Sequence, residues 1–342
     1  MRLFSRHLVF AALCLTLALS QASFGSTFTT FDVPGAVGII PTSVNKWGSV
    51  TGYYSPSTGN GYNGFVYQAS TGTITVFHVP GVSRTYPTSI NDTGWVVGYY
   101  SNPNRSEVLH GFLRNPQITI LDAPGAGTLA GQGTQALSIN DAGEISGVYI
   151  DASYVQHGFI RDASGNYATF DIPGDSSVVS AWLNQGGQVG GGYNTFDSVN
   201  GNIPHGYIMG TDGTFTTFDV PGNTYGTYVA GINASGEITG SYFPTINPQE
   251  FVRDQFGNIT TFSITGYETT AGIEDNGNII GMYKTGSAFR GWKRTAAGVI
   301  SFFNDPNAGP GGTFPTCVSG NARAAGSYLD SSGNIHGFLM VN

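Results

Sequence analysis

The sequence predicts an all-β fold: a seven-bladed β-propeller of four-stranded blades, closed by an N-terminal strand. A pattern of about 45 residues recurs seven times, and each copy contains four short strand-like segments separated by turn residues. The chain ends give a further observation. The seventh copy stops after its third strand, and a lone fourth-strand segment, Thr27 to Val33, precedes the first copy. We expect this segment to complete the last blade and so remove an exposed sheet edge.

The first repeated anchor is Phe-Asp-Val-Pro-Gly with its variants. It ends the fourth strand of each copy, because proline cannot donate a hydrogen bond to a central ladder. The anchor begins at Phe31, Phe77, Leu121, Phe170, Phe218, Phe262 and Phe303. The steps between copies are 46, 44, 49, 48, 44 and 41 residues, which fit the known lengths of propeller repeats.

The second anchor is Ile-Asn-Asp-x-Gly-x-Ile-x-Gly-x-Tyr, as in residues 139–149. Its Asn, Asp and first Gly predict a tight turn between the first and second strands. We expect the last glycine to let a neighbouring blade approach closely, and the tyrosine to pack between blades. The glycine recurs at Gly52, Gly98, Gly147, Gly191, Gly240, Gly281 and Gly326, and the tyrosine follows two residues later in every copy.

The third anchor, His-Gly-Phe, starts the third strand at His110, His157 and His336, with a variant at His205. Blades would spread these histidines around a ring, so we interpret them as structural residues bonded to a neighbouring turn rather than as metal ligands. The aspartates before Pro-Gly are interpreted as turn-capping residues in the same way. They are Asp32, Asp122, Asp171 and Asp219. No cofactor is predicted; calcium at these turns is an alternative, although no Asp-x-Asp-x-Asp loop is present.

Together the anchors resemble the HAF family of bacterial extracellular repeats, over essentially the whole chain after residue 22. The family is named for a His-Ala-Phe step, which an Ile-Asn-x-x-Gly hairpin follows. This sequence differs in having glycine for alanine at Gly111, Gly158 and Gly337, and arginine for a common tryptophan at Arg114 and Arg161. The resemblance implies an exported bacterial repeat protein, and it implies no particular activity.

Residues 1–22 are predicted to be a secretory signal peptide, and residues 23–342 a single propeller domain. Arg2, Arg6 and His7 precede an apolar run from Leu8 to Leu19, and small residues precede a cut after Ala22, with a cut after Gly25 as the alternative. We therefore expect a secreted protein, extracellular or periplasmic. No other apolar stretch is long enough to span a bilayer, so we expect no membrane insertion.

Composition narrows the range of partners. Without Arg2 and Arg6, the 13 basic residues become 11, against 21 acidic residues. This acidic balance argues against nucleic acid and anionic membranes as partners. Cys317 is then the one remaining cysteine, so no internal disulfide can form, and its strand position predicts a buried thiol. We expect a monomer.

Binding residues are expected in the loops that gather at one mouth of the channel. One repeat position there carries Ile40, Tyr86, Gln135, Val179, Tyr228, Thr269 and Phe314. An aromatic, weakly charged mouth favours stacking on sugar rings or gripping a peptide over acid–base catalysis. We therefore predict a non-catalytic binding propeller with a glycan or a surface protein as ligand. The predicted ligand-binding residues are Arg84, Tyr86, Trp182, Tyr225, Tyr228, Tyr267 and Phe314.

Three alternatives remain open at this point. The aromatic rings could simply plug the channel. The chain could be a polysaccharide lyase or glycosidase, with Glu268, Glu107 and Asp197 as the loop carboxylates available for it. It could also be a purely structural envelope protein. No Gly-x-Ser-x-Gly elbow or His-Glu-x-x-His helix is present, so no catalytic residues are predicted.

Overall fold

A computed structural model of the chain describes residues 25–101, 107–173, 177–198, 201–264 and 266–341. All regular secondary structure in these ranges is β, and none of it is a helix that could cross a membrane. The predicted signal peptide lies outside the described residues. In chain order the strands are β1 (Thr27–Phe31), β2 (Ala36–Val44), β3 (Val50–Pro56), β4 (Asn63–Gln68), β5 (Thr73–Phe77), β6 (Arg84–Ile90), β7 (Val96–Ser101), β8 (His110–Asn115), β9 (Gln117–Leu121), β10 (Gly133–Ile139), β11 (Ile145–Ile150), β12 (Gln156–Arg161), β13 (Tyr167–Phe170), β14 (Ser177–Val178), β15 (Trp182–Leu183), β16 (Val189–Asp197), β17 (Gly201–Met209), β18 (Phe215–Phe218), β19 (Thr227–Ile232), β20 (Ile238–Tyr242), β21 (Gln249–Arg253), β22 (Ile259–Phe262), β23 (Tyr267–Ile273), β24 (Ile279–Thr285), β25 (Ala288–Arg294), β26 (Ile300–Phe303), β27 (Gly312–Ser319), β28 (Arg323–Leu329) and β29 (Ile335–Val341).

These strands form six sheets, numbered here in chain order, and the prediction of an all-β fold is confirmed. Within each sheet, strands that follow one another along the chain pair antiparallel, except β14 with β15 and β26 with β27, which do not pair. The first, second, third and fifth sheets have four strands each, and in the fourth sheet β14 and β15 share the edge of β16. The sixth sheet has eight strands, because one parallel bridge between Phe289 and Gly312 joins β23–β26 to β27–β29 and β1. The sheets are β2–β5, β6–β9, β10–β13, β14–β18, β19–β22, and β23–β29 with β1.

Strand β1 pairs antiparallel with β29, so the beginning and the end of the described chain lie in one sheet. The register runs from Thr27 opposite Val341 to Phe31 opposite Gly337. The Phe31 ring then packs 5.8 Å from the ring of Phe65, which belongs to the first sheet. Residues from the two ends of the chain therefore share one hydrophobic core.

An asparagine holds the turn between the first and second strands in each of the first five sheets, and Glu274 takes this position in the sixth. The Asn91 side-chain oxygen accepts the Trp95 amide at 2.9 Å, and Gly94 supplies the positive φ of 82° that the turn needs. The Asn91 amide group also donates to the carbonyl oxygen of Asn140 in the next sheet, at 3.1 Å. Each such asparagine thus links its own turn to the following one. The same inter-sheet bond runs from Asn45 to Asn91, Asn140 to Asn184, Asn184 to Asn233, and Asn233 to Glu274.

The repeated glycine of the second strand has a different role from the one expected. The first strand of the sheet bulges opposite it, as between Pro87 and Ser89. A Cβ atom on Gly98 would clash with the carbonyl oxygen of Tyr86 in that bulge and with the ring of Phe112. The groups that come close to this glycine therefore belong to the first and third strands of its own sheet, and not to a neighbouring sheet.

The repeated tyrosine stacks on the histidine of the third strand in its own sheet. In the third sheet, the rings of Tyr149 and His157 lie 4.8 Å apart and are nearly parallel. His157 Nδ1 lies 2.6 Å from the carboxylate of Asp171, which follows the fourth strand. This contact is consistent with a structural role for the histidine, and Tyr149 also packs in a core shared with Val97 of the neighbouring sheet, as expected. The other sets are Tyr100, His110 and Asp122; Tyr193, His205 and Asp219; and Tyr328, His336 and Asp32.

Hydrophobic cores fill the spaces between adjacent sheets. One core combines Phe65 and Ile39 of the first sheet with Phe31, Leu339 and Cys317 of the sixth. The Cys317 thiol is buried, as its strand position predicts. Burial raises its pKa to about 12, so the thiol stays protonated.

Candidate functional site

Exposed apolar side chains concentrate at one end of the sheets. We call this the loop end: the end where the second strand leads to the third and the fourth leads to the next sheet. Large apolar residues in water mark interaction sites when they cluster. Most of the exposed ones among the described residues lie at this end: Val37, Ile40, Leu129, Tyr154, Val155, Val179, Phe196, Tyr225, Tyr228, Ile246, Tyr267 and Ile335.

Tyr228 stands in a cleft between the fourth and fifth sheets, which we call the Tyr228 cleft. The cleft has a volume of about 350 Å³. Its polar lining includes Ser180, Asn194 and Asn202. The Tyr228 ring is 47% exposed and packs edge-on against Phe243, with ring centroids 5.2 Å apart. An open aromatic face therefore lies beside two side-chain amides.

Tyr267 stands in the next cleft, where β23 of the sixth sheet follows the fifth sheet. This cleft measures about 500 Å³, and Thr245, Asn247 and Gln249 contribute to its lining. Tyr267 is exposed, as is Tyr225 in the loop before β19. Three of the residues predicted to bind ligand thus lie on the fourth-to-sixth-sheet side of the loop end.

Tyr86 belongs to a different group, a cluster of four tyrosines on the first and second sheets. Its ring lies 5.3 Å from Tyr53, 5.4 Å from Tyr62 and 5.1 Å from Tyr99. Burial raises the pKa of Tyr53, Tyr86 and Tyr99, so these phenols stay neutral. Sequence reasoning missed Tyr53 and Tyr62. The doubled tyrosine at 53–54, which recurs at 99–100, is the signal that could have found the first of them.

An apolar cavity of about 240 Å³ opens beside this cluster, between the first and sixth sheets. Ile40, Tyr53 and Tyr62 line one side, and Phe314 and Ile335 line the other. Phe314 also packs against Phe289, with ring centroids 4.9 Å apart. Phe314, which the sequence predicts to bind ligand, therefore lies in an apolar site apart from the Tyr228 cleft.

Arg84 lies beside the cluster of four tyrosines, whereas Trp182 joins neither group closely. Arg84 starts β6, pairs with Ser101 and forms a bridge to Tyr62. The Val179 amide donates to the Gly192 carbonyl oxygen, whereas Trp182 lies opposite Gly190, two residues along β16, which places Trp182 about 7 Å deeper at 3.3 Å per residue. Its indole nitrogen is buried and has no hydrogen-bond partner among the described residues.

The three loop carboxylates of the enzyme alternative lie on different sheets. Glu107 precedes the third strand of the second sheet, Asp197 ends β16 of the fourth sheet, and Glu268 lies in β23 of the sixth. Glu268 is buried and accepts the backbone amide of Ile264. In other repeats, a buried threonine accepts the equivalent amide: Thr85, Thr134, Thr227 and Thr313. Glu268 thus takes the place of a structural threonine.

Glu268 has a second buried carboxyl group near it, Glu250, at a position that is glycine in the other repeats. Hydroxyl groups of Thr270 and Ser241 donate to the Glu250 carboxyl. Burial raises the pKa of Glu250 to about 8; the two hydroxyl bonds oppose this increase, and the nearby Glu268 carboxyl adds a smaller one. Burial raises the pKa of Glu268 to about 7, although the hydrogen bond from the Ile264 amide lowers it in part.

The opposite end of the sheets is polar. Lys46 Nζ lies 2.6 Å from Asp92 and 4.0 Å from Asp141, and these side chains line a cavity of about 280 Å³ with Gln185 and Asp275. Across the described ranges, no three or more His, Cys, Asp or Glu residues are arranged to hold a metal ion.

Comparison with solved structures shows a propeller fold. The chain is similar to virginiamycin B lyase from Staphylococcus aureus, at 12% identity and a TM-score of 0.59, over 92% of this chain and 99% of that one. It is also similar to a streptogramin B lyase, at 13% identity and a TM-score of 0.58, over 92% and 97% of the two chains. The β-propeller domain of the Trilobed protease from Pyrococcus furiosus matches at 11% identity and a TM-score of 0.62, over 89% and 95%. No protein-family model and no curated protein matches the sequence. At these identities the likeness concerns the fold alone.

Proposed function

We propose that this chain is a non-catalytic binding propeller that holds a glycan at its loop end. Its scaffold is a closed ring of seven four-stranded blades, in which the sixth sheet contributes two blades and β1 completes the last. The pairing of β1 with β29 supports this arrangement. So does the hydroxyl of Thr316 in the sixth sheet, which donates to the carbonyl oxygen of Pro41 in the first sheet at 2.7 Å.

The repeat pattern supports assignment to the HAF-type bacterial repeats, and the segment at residues 1–22 supports export to the periplasm or the cell exterior. A binding protein at either location meets polysaccharides and envelope proteins. We therefore look for a ligand among these two classes.

The Tyr228 cleft carries the glycan proposal. A sugar ring presents an apolar C–H face and an edge of hydroxyl groups. The open Tyr228 ring offers a stacking surface for the face, and the amides of Asn194 and Asn202 both donate to and accept from hydroxyls. The volume of about 350 Å³ lies within the usual range of small-ligand sites.

The same cleft argues against catalysis. Its described lining residues include no carboxylate, imidazole or amine that could act as a general acid or base. The candidate carboxylates Glu107, Asp197 and Glu268 lie on three sheets, and Glu268 already accepts the Ile264 amide. No observation favours the lyase or glycosidase alternative over binding.

The test is incubation of the purified protein with insoluble plant, algal and bacterial polysaccharides. Depletion of protein from solution measures binding, and new reducing or unsaturated ends in the same tubes measure catalysis. We expect retention without product, and an approximately fivefold weaker affinity for Tyr228→Ala, because one aromatic stack contributes about 1 kcal/mol. Phe256→Ala is the matched control, since Phe256 is 82% exposed in a turn at the opposite end.

Each other outcome would overturn part of the proposal. Product formation would establish an enzyme and make Glu107 and Asp197 the first residues to replace. Binding that Tyr228→Ala leaves unchanged would move the site elsewhere. Retention by no polysaccharide would reject the glycan and leave a surface protein or a structural role.

A further inference from the structure

We propose that the apolar cavity between the first and sixth sheets is a second binding site, which takes an uncharged aromatic group. This inference goes beyond the glycan proposal, because the cavity lies on the opposite side of the loop end from the Tyr228 cleft. The two sites share no lining residue.

The chemistry of the walls determines the class of ligand. Five of the lining side chains are aromatic: Tyr53, Tyr54, Tyr62, Phe314 and Tyr328. No charged side chain lines the cavity among the described residues. An ionised ligand would lose its hydration there without gaining a partner, whereas a neutral ring gains edge and face contacts with the aromatic walls.

Two of the tyrosine hydroxyls are already engaged with the protein. The Tyr328 hydroxyl lies 3.1 Å from the Thr30 hydroxyl, and the Tyr54 hydroxyl accepts a long bond from the Asn63 amide at 3.5 Å. These contacts leave the carbon faces of both rings to form the cavity wall. The wall is consequently less polar than the number of tyrosines would suggest.

The cavity size limits the ligand to a small ring system. Engineered apolar cavities of about 150 Å³ bind benzene. A volume of about 240 Å³ is larger than that, so it suits a fused bicyclic ring such as indole. Ile40 and Ile335 lie at the rim, 42% and 39% exposed, and a bound ring would cover both.

Gly38 offers a way to fill the cavity without removing its walls. A Cβ atom at this position would lie 3.9 Å from the Ile335 Cδ1 atom, which is an ordinary van der Waals distance. Gly38 is not among the glycines with positive φ, so a larger residue adds no backbone strain. The branches of a valine would then occupy space that the ligand needs.

The test is calorimetric titration of the full chain with indole, N-acetyl-tryptophanamide and indole-3-acetate. We expect saturable indole binding with a negative heat-capacity change, and binding at least tenfold weaker for the charged acetate. Gly38→Val should weaken indole binding at least tenfold, and Tyr228→Ala should leave it unchanged. Ile335→Asp places a charge at the rim of the cavity and should also weaken indole binding. This second variant keeps the test valid if Gly38→Val disturbs folding.

The two neutral probes distinguish the sources of the ring. Binding of indole alone would identify a free small aromatic molecule as the ligand. Binding of both would show that the cavity also accepts a tryptophan side chain presented by a peptide. Failure of both to saturate, or indole affinity that neither Gly38→Val nor Ile335→Asp reduces, would overturn the proposal. Glycan retention on polysaccharide is a separate readout, so either proposal can fail without the other.

Discussion

The buried carboxyl groups of Glu250 and Glu268 should make the protein less stable in mildly alkaline solution. Their pKa values in the folded protein, about 8 and about 7, lie above the ordinary 4.5 of glutamate. A group whose folded pKa is raised stabilises the fold below its unfolded pKa, and this contribution disappears as the pH rises through the folded value. The relevant window therefore runs from about pH 4.5 to pH 8.

The magnitude follows from the size of the pKa change. A tenfold change in a proton-binding constant is worth about 1.4 kcal/mol, so the difference for Glu268 corresponds to about 3 kcal/mol. Tyr267 beside it is open to solvent, and partial screening reduces our expectation to about 2 kcal/mol. Glu250 acts in the same direction, and each charge opposes the other. The melting temperature should fall by several degrees across this window.

The assay compares the wild type with the Glu250→Gln, Glu268→Gln double variant by urea unfolding at pH 5 and pH 9. Glutamine resembles the protonated acid, so the two proteins should have similar stability at pH 5. At pH 9 the double variant should be more stable by about 2 kcal/mol or more. Glu237→Gln is the control, since the Glu237 carboxylate is partly exposed and bonded to Asn233. A stability difference that is the same at both pH values would refute the reasoning.

Further predictions concern the repeated structural contacts. Gly98→Ala should lower the free energy of unfolding by about 2 kcal/mol, because the added methyl group clashes with the Tyr86 carbonyl oxygen. Gly94 has open space around it, so Gly94→Ala should destabilise the protein only through the strain of its positive φ. Asn140→Ala should cost about 1 to 3 kcal/mol in thermal or urea unfolding, since it removes the links from Asn140 to its own turn and to the next one. Cys317 should react with a thiol reagent only after denaturation, and rapid labelling of the native protein would contradict its burial. Desolvation lowers the pKa of His336, but the carboxylates of Asp32 and Asp330 outweigh this and raise it above 6.5. His336→Gln should therefore destabilise the protein more at pH 5.5 than at pH 8.5. An equal loss of stability at both pH values would exclude a charged histidine–aspartate pair.

The strands and turns of this protein could be predicted from sequence because each is specified locally. The Ile-Asn-Asp-x-Gly pattern places a turn wherever it occurs, and Phe-Asp-Val-Pro-Gly ends a strand. The number of blades remains a prediction, since a single bridge at Phe289 joins two four-stranded groups into one sheet. The bulge opposite Gly98 was not predicted, because it depends on how two strands align and not on either strand alone.

The candidate site was harder to predict than the fold. Tyr228 and Tyr267 lie in loop-end clefts because their repeat positions place them there. Tyr53 and Glu250 escaped prediction because their significance comes from neighbours far away in sequence, Phe314 and Glu268. Trp182 was predicted to bind ligand because tryptophan is common in ligand sites. Its position along the strand, opposite Gly190, places it deeper than the other predicted residues.

The pairing of β1 with β29 has a consequence for how the protein is made. Thr30 and Tyr328, whose hydroxyls lie 3.1 Å apart, are separated by 298 residues. At a synthesis rate of about 5 to 20 residues per second, β1 waits roughly 15 to 60 seconds for its partner strand. During that time it is an unpaired edge rich in threonine and phenylalanine, which other chains could capture.

The same register indicates how this wait could be removed. Val341 lies directly opposite Thr27, so the two ends already stand where a hairpin would join them. A two-residue turn between them, with new termini opened at the exposed Pro80–Gly81 turn that joins the first sheet to the second, would turn the most distant strand pairing into a local one without splitting another sheet. Such a circular permutant would keep every sheet and change only the order of synthesis. It should therefore fold faster, since local contacts close at a smaller entropic cost.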